Sequence, residues 1–166
     1  MALLQFGRRR VPLIMQTEAA ECGLASLAMI AGFHGLDTDL QSMRREHAVS
    51  LKGSTLKSLM DIAASMNLAA RPLRVELPAL ARVRLPAVVH LDFNHFAVLT
   101  QVSSRTVTLN DPARGTRTLS LDEFSKHFTG VVLELTPTAA FRPGRVGNSF
   151  SITGILTSAR GFKAAL

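Results

Sequence analysis

The sequence predicts an α+β domain in which N-terminal helices pack on an antiparallel sheet. Apolar residues recur at helical spacing between Cys22 and Ala63, and short β-rich segments separated by turns follow from Ala70 onward. The length of 166 residues is that of one domain of ordinary size, large enough for a core but not for two independent ones. Because the helices come first and the strands afterwards, the order favours helices on one side of the sheet.

Three helices are predicted in the N-terminal part of the chain. The first starts near Cys22 and is small or apolar on every side, which is typical of a buried helix, and glycines between residues 32 and 35 end it. The second is expected over Asp39 to Glu46. The third follows a cap at Ser54 or Thr55 and carries apolar residues at helical spacing, namely Leu56, Leu59, Met60 and Ala63.

Strands are predicted where β-branched and apolar residues lie between turn residues. They cover Arg71 to Val75, Ala87 to Leu91, Phe96 to Val102, Thr106 to Asn110 and Val131 to Leu135. Ser120, with Glu123 three residues later, has the spacing of a capping box and predicts a short helix over Leu121 to His127. Upstream, Val11 to Met15 fits either a strand or an extended segment leading to Gln16.

Cys22 is the only cysteine and is predicted at the first turn of the buried helix. Unpaired backbone N–H groups and the positive end of the helix dipole stabilise a thiolate at such a position. A loop could bring the side-chain NH2 of Gln16, six positions upstream, beside the sulfur, where it would help to hold a developing oxyanion. A lone cysteine also fits a small buried hydrophobic residue, so the interpretation depends on residues further along the chain.

A hairpin is expected to bring His95, which opens its strand, close to Asp111. With Ser103-Ser104 as a two-residue turn, the numbers of paired residues sum to 207, so Asp111 would lie opposite Phe96 and next to His95. The carboxylate would then hold the imidazole in the tautomer that accepts a proton from Cys22.

Alternatives remain open for these residues from local sequence alone. Asp111 also fits a turn position before Pro112, and His95 also fits a surface histidine at a strand end. Asp92 is the other carboxylate near His95, but its place three residues upstream makes a poorer geometry for the orienting role. The remaining histidines have no such companion and are interpreted as structural or solvated: His34, His47, His90 and His127.

The composition excludes several classes of protein. The single cysteine excludes an internal disulfide, and the scattered histidines show no metal-ligand spacing. The N-terminus lacks the apolar core of a signal peptide, and no run of eighteen apolar residues occurs. The net charge of +7 comes from residues 1–15 and 141–166, and the segment between them is neutral. With no Trp or Tyr in the chain, basic tails favour an anionic membrane surface over a nucleic acid.

Three groups of residues occur in a specific order: Gln16 followed after five residues by Cys22-Gly23-Leu24-Ala25, then His95-Phe96 with Val98-Leu99, then the run from Asn110 to Gly115. This set resembles the N-terminal cysteine peptidase domain of bacterial bacteriocin and microcin exporters of the ABC class, such as the colicin V exporters. The resemblance covers about Val11 to Leu135. It departs from the family at Ser26, where relatives often carry a second cysteine. It implies a papain-like fold, which agrees with the α+β order.

The resemblance also implies a reaction and the residues that perform it. Cys22 would be the nucleophile, His95 the general base and acid, Asp111 the orienting carboxylate and Gln16 the oxyanion donor. The implied reaction is cleavage of a precursor peptide after a Gly-Gly motif, which frees a leader from a cargo that the same polypeptide exports. The leader is expected to dock as an amphipathic helix in an apolar groove.

The expected partners follow from the same resemblance. They are a precursor peptide with a double-glycine leader, and the transmembrane and nucleotide-binding domains of the same transporter, at the cytoplasmic face of the bacterial inner membrane. No cofactor is implied for proteolysis, and ATP with Mg²⁺ is expected only for a nucleotide-binding domain outside these 166 residues. No nucleic acid or metal is implied.

Four segments are expected along the chain. They are a basic N-terminal segment over residues 1–15, the peptidase domain over residues 16–136, a linker rich in Pro, Gly and Arg over residues 137–150, and an amphipathic helix over residues 151–166. The helix fits a membrane surface, and it also fits a terminal helix that packs on the domain. Since no transmembrane segment or Gly-x4-Gly-Lys nucleotide loop follows, the chain is expected to be part of a longer transporter.

Two other functions remain open. A degenerate domain that docks the transport substrate without cutting it would lack the cysteine or the histidine, whereas Cys22 and His95 are both present. Another Cys-His-Asp enzyme, an acyl or amide transferase, would share the order of the three residues but not the spacing from Gln16 to Cys22.

Overall fold

The computed structural model describes residues 9–47 and 53–146. Its helices and strands are, in chain order, α1 (Cys22–Phe33), β1 (Leu36–Asp37), α2 (Leu40–Glu46), α3 (Leu56–Ser65), β2 (Leu68–Arg74), β3 (Ala87–Leu91), β4 (His95–Val102), β5 (Thr106–Asp111), β6 (Gly115–Ser120), α4 (Leu121–Ser125), β7 (Phe128–Pro137) and β8 (Gly144–Arg145). Two short 3-10 helices cover Ala19–Glu21 and Leu77–Arg82. The predicted amphipathic helix over residues 151–166 lies outside the described residues.

The main sheet has six strands in the order β2-β7-β3-β4-β5-β6, and each pair of neighbours is antiparallel. Helices α1 to α3 precede all six of these strands, so the predicted order of helices followed by an antiparallel sheet is confirmed. In the described part of the chain, no helix is both long and apolar enough to cross a membrane.

Helix α1 is buried along most of its length because the sheet, α2 and α3 surround it. Every residue from Cys22 to Ala31 is buried. Side chains alternate across a strand, so Phe96 and Val98 of β4 pack in the core around α1, while Ala97 and Leu99 pack in a second core on the other face. That second core contains the 3-10 helix at Leu77–Arg82 and α4, so helical segments cover both faces of the sheet.

Two close approaches fix the position of α1. A Cβ on Gly23 would lie 2.7 Å from Leu59 Cδ2, so α3 packs directly on the first turn of α1, next to Cys22. A Cβ on Gly32 would lie 2.7 Å from Pro12 Cγ, so the segment leading to Gln16 packs against the last turn. Val11 to Met15 do not form a strand. Of the two predicted alternatives, the extended segment leading to Gln16 is therefore correct.

Several element boundaries differ from the prediction. β2 begins at Leu68, where the prediction began it three residues later, and α4 ends at Ser125, two residues earlier than predicted. The cap of α4 is present, since the Ser120 hydroxyl accepts a hydrogen bond of 3.1 Å from the Glu123 N–H. β6 was not predicted, because its only large apolar residue is Leu119 and its residues alternate between half-buried and exposed positions.

The register of the β4–β5 hairpin also differs from the prediction. Ser103 N–H donates to the Thr106 carbonyl at 2.8 Å, and the Ser103 hydroxyl bonds the Thr106 side chain, so the turn lies one residue later than predicted. Val102 therefore pairs with Val107, and an irregularity between Leu99 and Gln101 then brings Val98 opposite Asn110. Continued by one residue, this register places Asp111 level with Ala97 and not with Phe96, on the face that His95 shares.

Part of the predicted linker belongs to the folded domain. β7 extends through Pro137, Phe141 is buried in the core around α1, and β8 pairs in parallel with β1. The linker prediction is therefore wrong for residues 137–146, and its last residues, 147–150, lie outside the described part.

Candidate active site

The structure brings Cys22, His95 and Asp111 together at one end of the sheet. Cys22 is the first residue of α1, His95 the first of β4 and Asp111 the last of β5. The His95 Nε2 lies 2.8 Å from Asp111 Oδ1, and the Cys22 thiol lies within hydrogen-bonding range of the same ring. Thiol, imidazole and carboxylate thus form one continuous chain of polar contacts.

The surroundings of His95 favour its charged form. The hydrogen bond with Asp111, and then the one with Cys22, raise the pKa of His95 to about 9 against the opposing effect of burial. At neutral pH the imidazolium is therefore the favoured form. A cation at this place can stabilise a neighbouring thiolate and can later donate its proton.

Asp111 is almost completely enclosed, with 1 % of its surface exposed. Burial raises the pKa of Asp111, but the hydrogen bonds from His95 and from the Ala113 N–H (2.9 Å), together with the charge of Arg117, lower the pKa by more. The net effect holds the pKa of Asp111 below its usual value. The carboxylate is therefore charged at neutral pH and can hold the imidazolium in place.

Arg117 was missed from the sequence. Its guanidinium Nη2 lies 3.2 Å from Asp111 Oδ2, on the side of the carboxylate away from His95. The residue lies on β6, and without that strand in the prediction nothing in the sequence placed it next to Asp111. Gly115, two residues before Arg117, turns the chain with a φ of +86°. This glycine is the local signal from which a β5–β6 hairpin could have been predicted.

Gln16 lies beside the same group of residues. Its N–H donates to the Pro112 carbonyl at 2.9 Å, which ties it to the residue after Asp111. The side-chain Oε1 is buried and has no hydrogen-bond partner among the described residues, while the residue itself lines the pocket next to His95. The Gln16 side chain is therefore one of the polar groups next to the His95 ring.

A pocket of ≈ 380 Å³ opens beside His95 and Asp111. It lies on the face of the sheet that α4 covers, with Leu91, Leu119 and Phe124 as its apolar lining. Its polar lining consists of Gln16, Asp92, Asn94, His95, Asp111, Arg114, Arg117 and His127. Charged groups of both signs therefore surround the space next to the imidazole.

One prediction about the histidines is wrong. His127 was interpreted as lacking a carboxylate companion, but its Nδ1 lies 2.8 Å from Asp92 Oδ1 and its Nε2 lies 3.5 Å from Glu123 Oε1. The hydrogen bond that the His127 ring donates to Asp92 is the main reason that the pKa of His127 is raised. Asp92 therefore pairs with His127 and does not compete with Asp111 for His95.

The other histidines have structural surroundings. His90 Nδ1 lies 3.1 Å from the Thr129 hydroxyl, and burial followed by the nearby charge of His95 lowers the pKa of His90. Burial likewise lowers the pKa of His34, whose ring stands edge-on to Phe33 and Phe141. Neither residue lines the pocket beside His95.

The chain is similar to bacterial secretion/processing and transport/processing proteins. It is 43 % identical over 159 residues to the colicin V secretion/processing ATP-binding protein CvaB of Escherichia coli, which covers 96 % of this chain and 23 % of that protein. It is 29 % identical over 136 residues to the pediocin PA-1 transport/processing ATP-binding protein PedD of Pediococcus acidilactici, which covers 77 % of this chain and 19 % of that protein. The chain thus spans about a quarter of the length of these relatives.

Solved structures share the fold. The crystal structure of a double-glycine-motif protease from the AMS/PCAT transporter, in complex with the leader peptide, matches with a TM-score of 0.73 and 37 % identity, over 81 % of this chain and 96 % of that one. The peptidase domain of Streptococcus ComA matches with a TM-score of 0.71 and 20 % identity, over 78 % of this chain and 100 % of that one. The predicted papain-like α+β fold is confirmed by these likenesses.

A family model described as the peptidase C39 family matches residues 10–140, which include Gln16, Cys22, His95 and Asp111. With this match and the 43 % identity to the Escherichia coli protein, the chain belongs to the peptidase C39 family.

Proposed function

We propose that the chain is a cysteine endopeptidase domain that removes the leader from bacteriocin-type precursor peptides by cleaving after a Gly-Gly motif. The observation that carries the proposal is the contact of one imidazole, His95, with the Cys22 thiol on one side and the buried Asp111 carboxylate on the other. The names of the relatives support it, since they describe proteins of secretion and processing. A related protease structure holds a leader peptide, which supports the class of substrate.

In the proposed mechanism Cys22 is the nucleophile and His95 the general base and acid. The Cys22 thiolate attacks the carbonyl carbon of the second glycine, and a C–S bond forms as the carbonyl π electrons move to oxygen. Gln16 lines the pocket beside His95. Its NH2 group would stabilise that oxyanion together with backbone N–H groups at the start of α1.

The tetrahedral intermediate then collapses. The C–N bond breaks, and the His95 imidazolium gives its proton to the leaving amine of the cargo peptide. A water molecule attacks the thioester that remains, His95 takes a proton from that water, and the leader leaves with a free carboxylate while the Cys22 thiolate is restored. Asp111 stays ionised throughout and holds the ring orientation, because its pKa is kept below the usual value.

The enclosure of the nucleophile supports a demand for glycine. Cys22 is 3 % exposed, so a peptide carbonyl reaches the sulfur only if the adjoining residues allow the main chain to approach closely. Glycine has no Cβ, and both residues before the scissile bond can therefore enter where any side chain would collide. The Gly-Gly motif is the sequence that this geometry accommodates best.

The relatives' names also support a place in a larger protein. We propose that the domain acts at the cytoplasmic face of the bacterial inner membrane, next to the transmembrane and nucleotide-binding domains of the same transporter, and that the released cargo is the exported species. ATP and Mg²⁺ would serve the nucleotide-binding domain, and proteolysis would need no cofactor. The excess of basic residues in residues 1–15 and 141–166 would favour an anionic membrane surface.

Incubation with a synthetic precursor tests the proposal. The chain is expected to cleave a peptide that carries a double-glycine leader after the second glycine, with product masses that identify the bond. Cys22→Ala is expected to abolish cleavage while leaving the unfolding temperature nearly unchanged, because a small buried group replaces another. A second substrate, with the second glycine changed to valine, should remain uncut.

Two outcomes would support other functions. Binding of the leader peptide to the unmodified chain without any product would favour a domain that only docks the substrate. Transfer of the acyl group to an added amine in preference to water would favour an acyl or amide transferase.

A further inference from the structure

We propose that Glu21, the residue before Cys22, positions the oxyanion donor Gln16 by fixing the two residues that follow it. This inference rests on the proposed function. Glu21 and Arg44 would then affect the rate of peptide hydrolysis through Gln16. The Cys22–His95 and His95–Asp111 contacts would not depend on them.

The Glu21 carboxylate collects several donors from one short segment. Its Oε2 accepts from the Thr17 N–H (2.9 Å), the Thr17 hydroxyl (2.8 Å) and the Glu18 N–H (2.9 Å). Its Oε1 accepts from Arg44 Nε on α2, and the Arg44 Nη2 also donates to the Thr17 hydroxyl. Residues 17 and 18 are thus held to the start of α1 by one carboxylate, which α2 holds in turn.

Gln16 is therefore fixed from both sides. Its own N–H donates to the Pro112 carbonyl, next to Asp111, at 2.9 Å. The following two backbone N–H groups are bound by Glu21, next to Cys22. The segment from Gln16 to Glu18 consequently bridges the strand end that carries the orienting carboxylate and the helix end that carries the nucleophile. The Glu21 contacts therefore fix the position of Gln16 relative to the Cys22 sulfur.

The charge of Glu21 suits this role. The hydrogen bond from Arg44 is the main cause that lowers the pKa of Glu21 to about 2, although burial opposes it. Only 4 % of Glu21 is exposed, so little water is available to replace a lost protein donor. An ionised carboxylate accepts at both oxygens, whereas a neutral glutamine offers one acceptor and two N–H groups that would oppose the donors around it.

The effect on catalysis follows from how narrowly an oxyanion donor has to be placed. A misplacement of about 1 Å in a catalytic site costs roughly 100-fold in rate, and loss of one oxyanion donor costs about 100- to 1,000-fold. Attack of Cys22 on a haloacetamide forms no oxyanion, so that reaction needs the thiolate and His95 but not Gln16. A comparison of the rates of hydrolysis and alkylation therefore distinguishes a role in positioning Gln16 from a general structural role.

The experiment compares Glu21→Gln with the matched variant Glu46→Gln, whose carboxylate lies exposed on α2 two residues from Arg44. Cleavage of the Gly-Gly precursor is measured as kcat and KM, and the rate of Cys22 alkylation by iodoacetamide is measured on the same samples. Glu21→Gln is expected to lower kcat by roughly 10- to 100-fold, with KM and the alkylation rate little changed. Glu46→Gln is expected to leave all three unchanged.

A double-mutant cycle with Gln16→Ala makes the assignment specific. If Glu21 acts through Gln16, Glu21→Gln should cause little further loss of kcat in the Gln16→Ala background, measured in single turnovers. Thr17→Val removes only one hydroxyl from the cluster at an exposed position, and it should show the same pattern with a smaller loss. This second variant keeps the test decisive if Glu21→Gln fails to fold.

Three results would overturn the inference. If Glu21→Gln lowers kcat by the same factor in the Gln16→Ala background as in the unmodified chain, Glu21 acts elsewhere. If Glu21→Gln lowers the rates of alkylation and cleavage equally, Glu21 supports only the fold. Absence of cleavage by the unmodified chain would overturn the proposed function and this inference together. The first two results can be observed only if the unmodified chain cleaves the precursor. Failure of this inference alone is therefore distinguishable from failure of the proposed function.

Discussion

The His95 Nε2 and the Asp111 Oδ1 lie 2.8 Å apart, although the two residues belong to different strands and are sixteen positions apart in sequence. The carboxylate is 1 % exposed and its other oxygen faces Arg117, whereas 20 % of the His95 side chain is exposed. A buried anion thus supports a partly exposed cation. This asymmetry determines how the site should respond to pH and to substitution.

Asp111→Asn should remove the main cause that raises the pKa of His95. We expect kcat to fall by roughly 100-fold or more, because the neutral amide neither stabilises the imidazolium nor selects its tautomer. Activity requires a protonated His95 for the leaving amine, so it should decline as pH rises through about 9 in the unmodified chain. The decline should begin at lower pH in the variant. A pH–rate profile, with NMR titration of the ring, measures both effects.

Asp92→Asn is the matched control for that change. It removes the carboxylate of the second pair, Asp92 with His127, from the same pocket. The pKa of His127 should fall, while the basic limb of the pH–rate profile should stay in place. A shift of that limb by Asp92→Asn would contradict the assignment of Asp111 as the partner of His95.

The stability of the domain should depend on pH through His95. The pKa of His95 is raised from 6.5 to about 9 on folding, so the folded state binds the proton more tightly than the unfolded state. The contribution to the free energy of unfolding is therefore complete below about pH 6.5 and is lost as pH rises through about 9, and solvent screening reduces it below the roughly 3–4 kcal/mol that the full shift implies. Urea unfolding at several pH values should show this loss, and the difference should be absent in His95→Gln.

The proximity of His95 and Asp111 could be expected from the sequence, but the register that places them could not. In the predicted register Asp111 would lie opposite Phe96, and cross-strand partners share a face, so the carboxylate would have pointed away from the His95 side of the sheet. The later turn at Ser103 and the irregularity after Leu99 change the register by one residue at Asp111. Side-chain bonds between Ser103 and Thr106 set that turn, and no hydrophobic pattern encodes them.

The helices were easier to predict than the edge of the sheet. Cys22 to Ala31 is small or apolar throughout and lies in the core, so composition alone was sufficient to identify α1. β6 is an edge strand whose one large apolar residue, Leu119, is half-buried, so no alternating hydrophobic pattern marks it in the sequence. Because β6 was missed, Arg117 was missed with it. Glu21 was missed for a related reason, since its partner Arg44 lies on another helix.

Arg117→Met should weaken Asp111 as an anion. Burial raises the pKa of Asp111, and His95, the Ala113 N–H and the Arg117 charge oppose it, so loss of Arg117 should move that pKa upward. A carboxylate whose pKa is depressed contributes stability above its unfolded pKa and loses it as pH falls. In the variant, both stability and kcat should therefore begin to fall at a higher pH than in the unmodified chain.

Arg114→Met is the control for Arg117→Met. Arg114 lies on the turn between Asp111 and Gly115 and lines the same pocket, while the Asp111 carboxylate pairs with Arg117. The acid limb of the pH–rate profile should stay in place in this variant. An equal shift in both variants would mean that the overall positive charge of the pocket, and not the Arg117 contact, controls Asp111.

The turn between β3 and β4 carries strain at Phe93, two residues before His95. Asp92 and Phe93 have φ of +50° and +59°, and the Asn94 N–H closes the turn on the Leu91 carbonyl at 3.2 Å. A bulky residue is unfavourable in this left-handed region, whereas asparagine adopts it readily. Phe93 is also 83 % exposed, so its side chain gains little from burial. Phe93→Asn should therefore raise the free energy of unfolding by about 0.5–1 kcal/mol.

Phe93→Val separates backbone strain from the loss of the aromatic ring. Both variants lose the edge-on contact between Phe93 and His90, whose ring centroids lie 6.3 Å apart. Valine is β-branched and should lower the free energy of unfolding by about 1 kcal/mol at this φ, so the two variants should move stability in opposite directions. Urea unfolding measures the difference. If both variants were destabilised equally, the contact with His90 and not the backbone conformation would determine the stability of this turn.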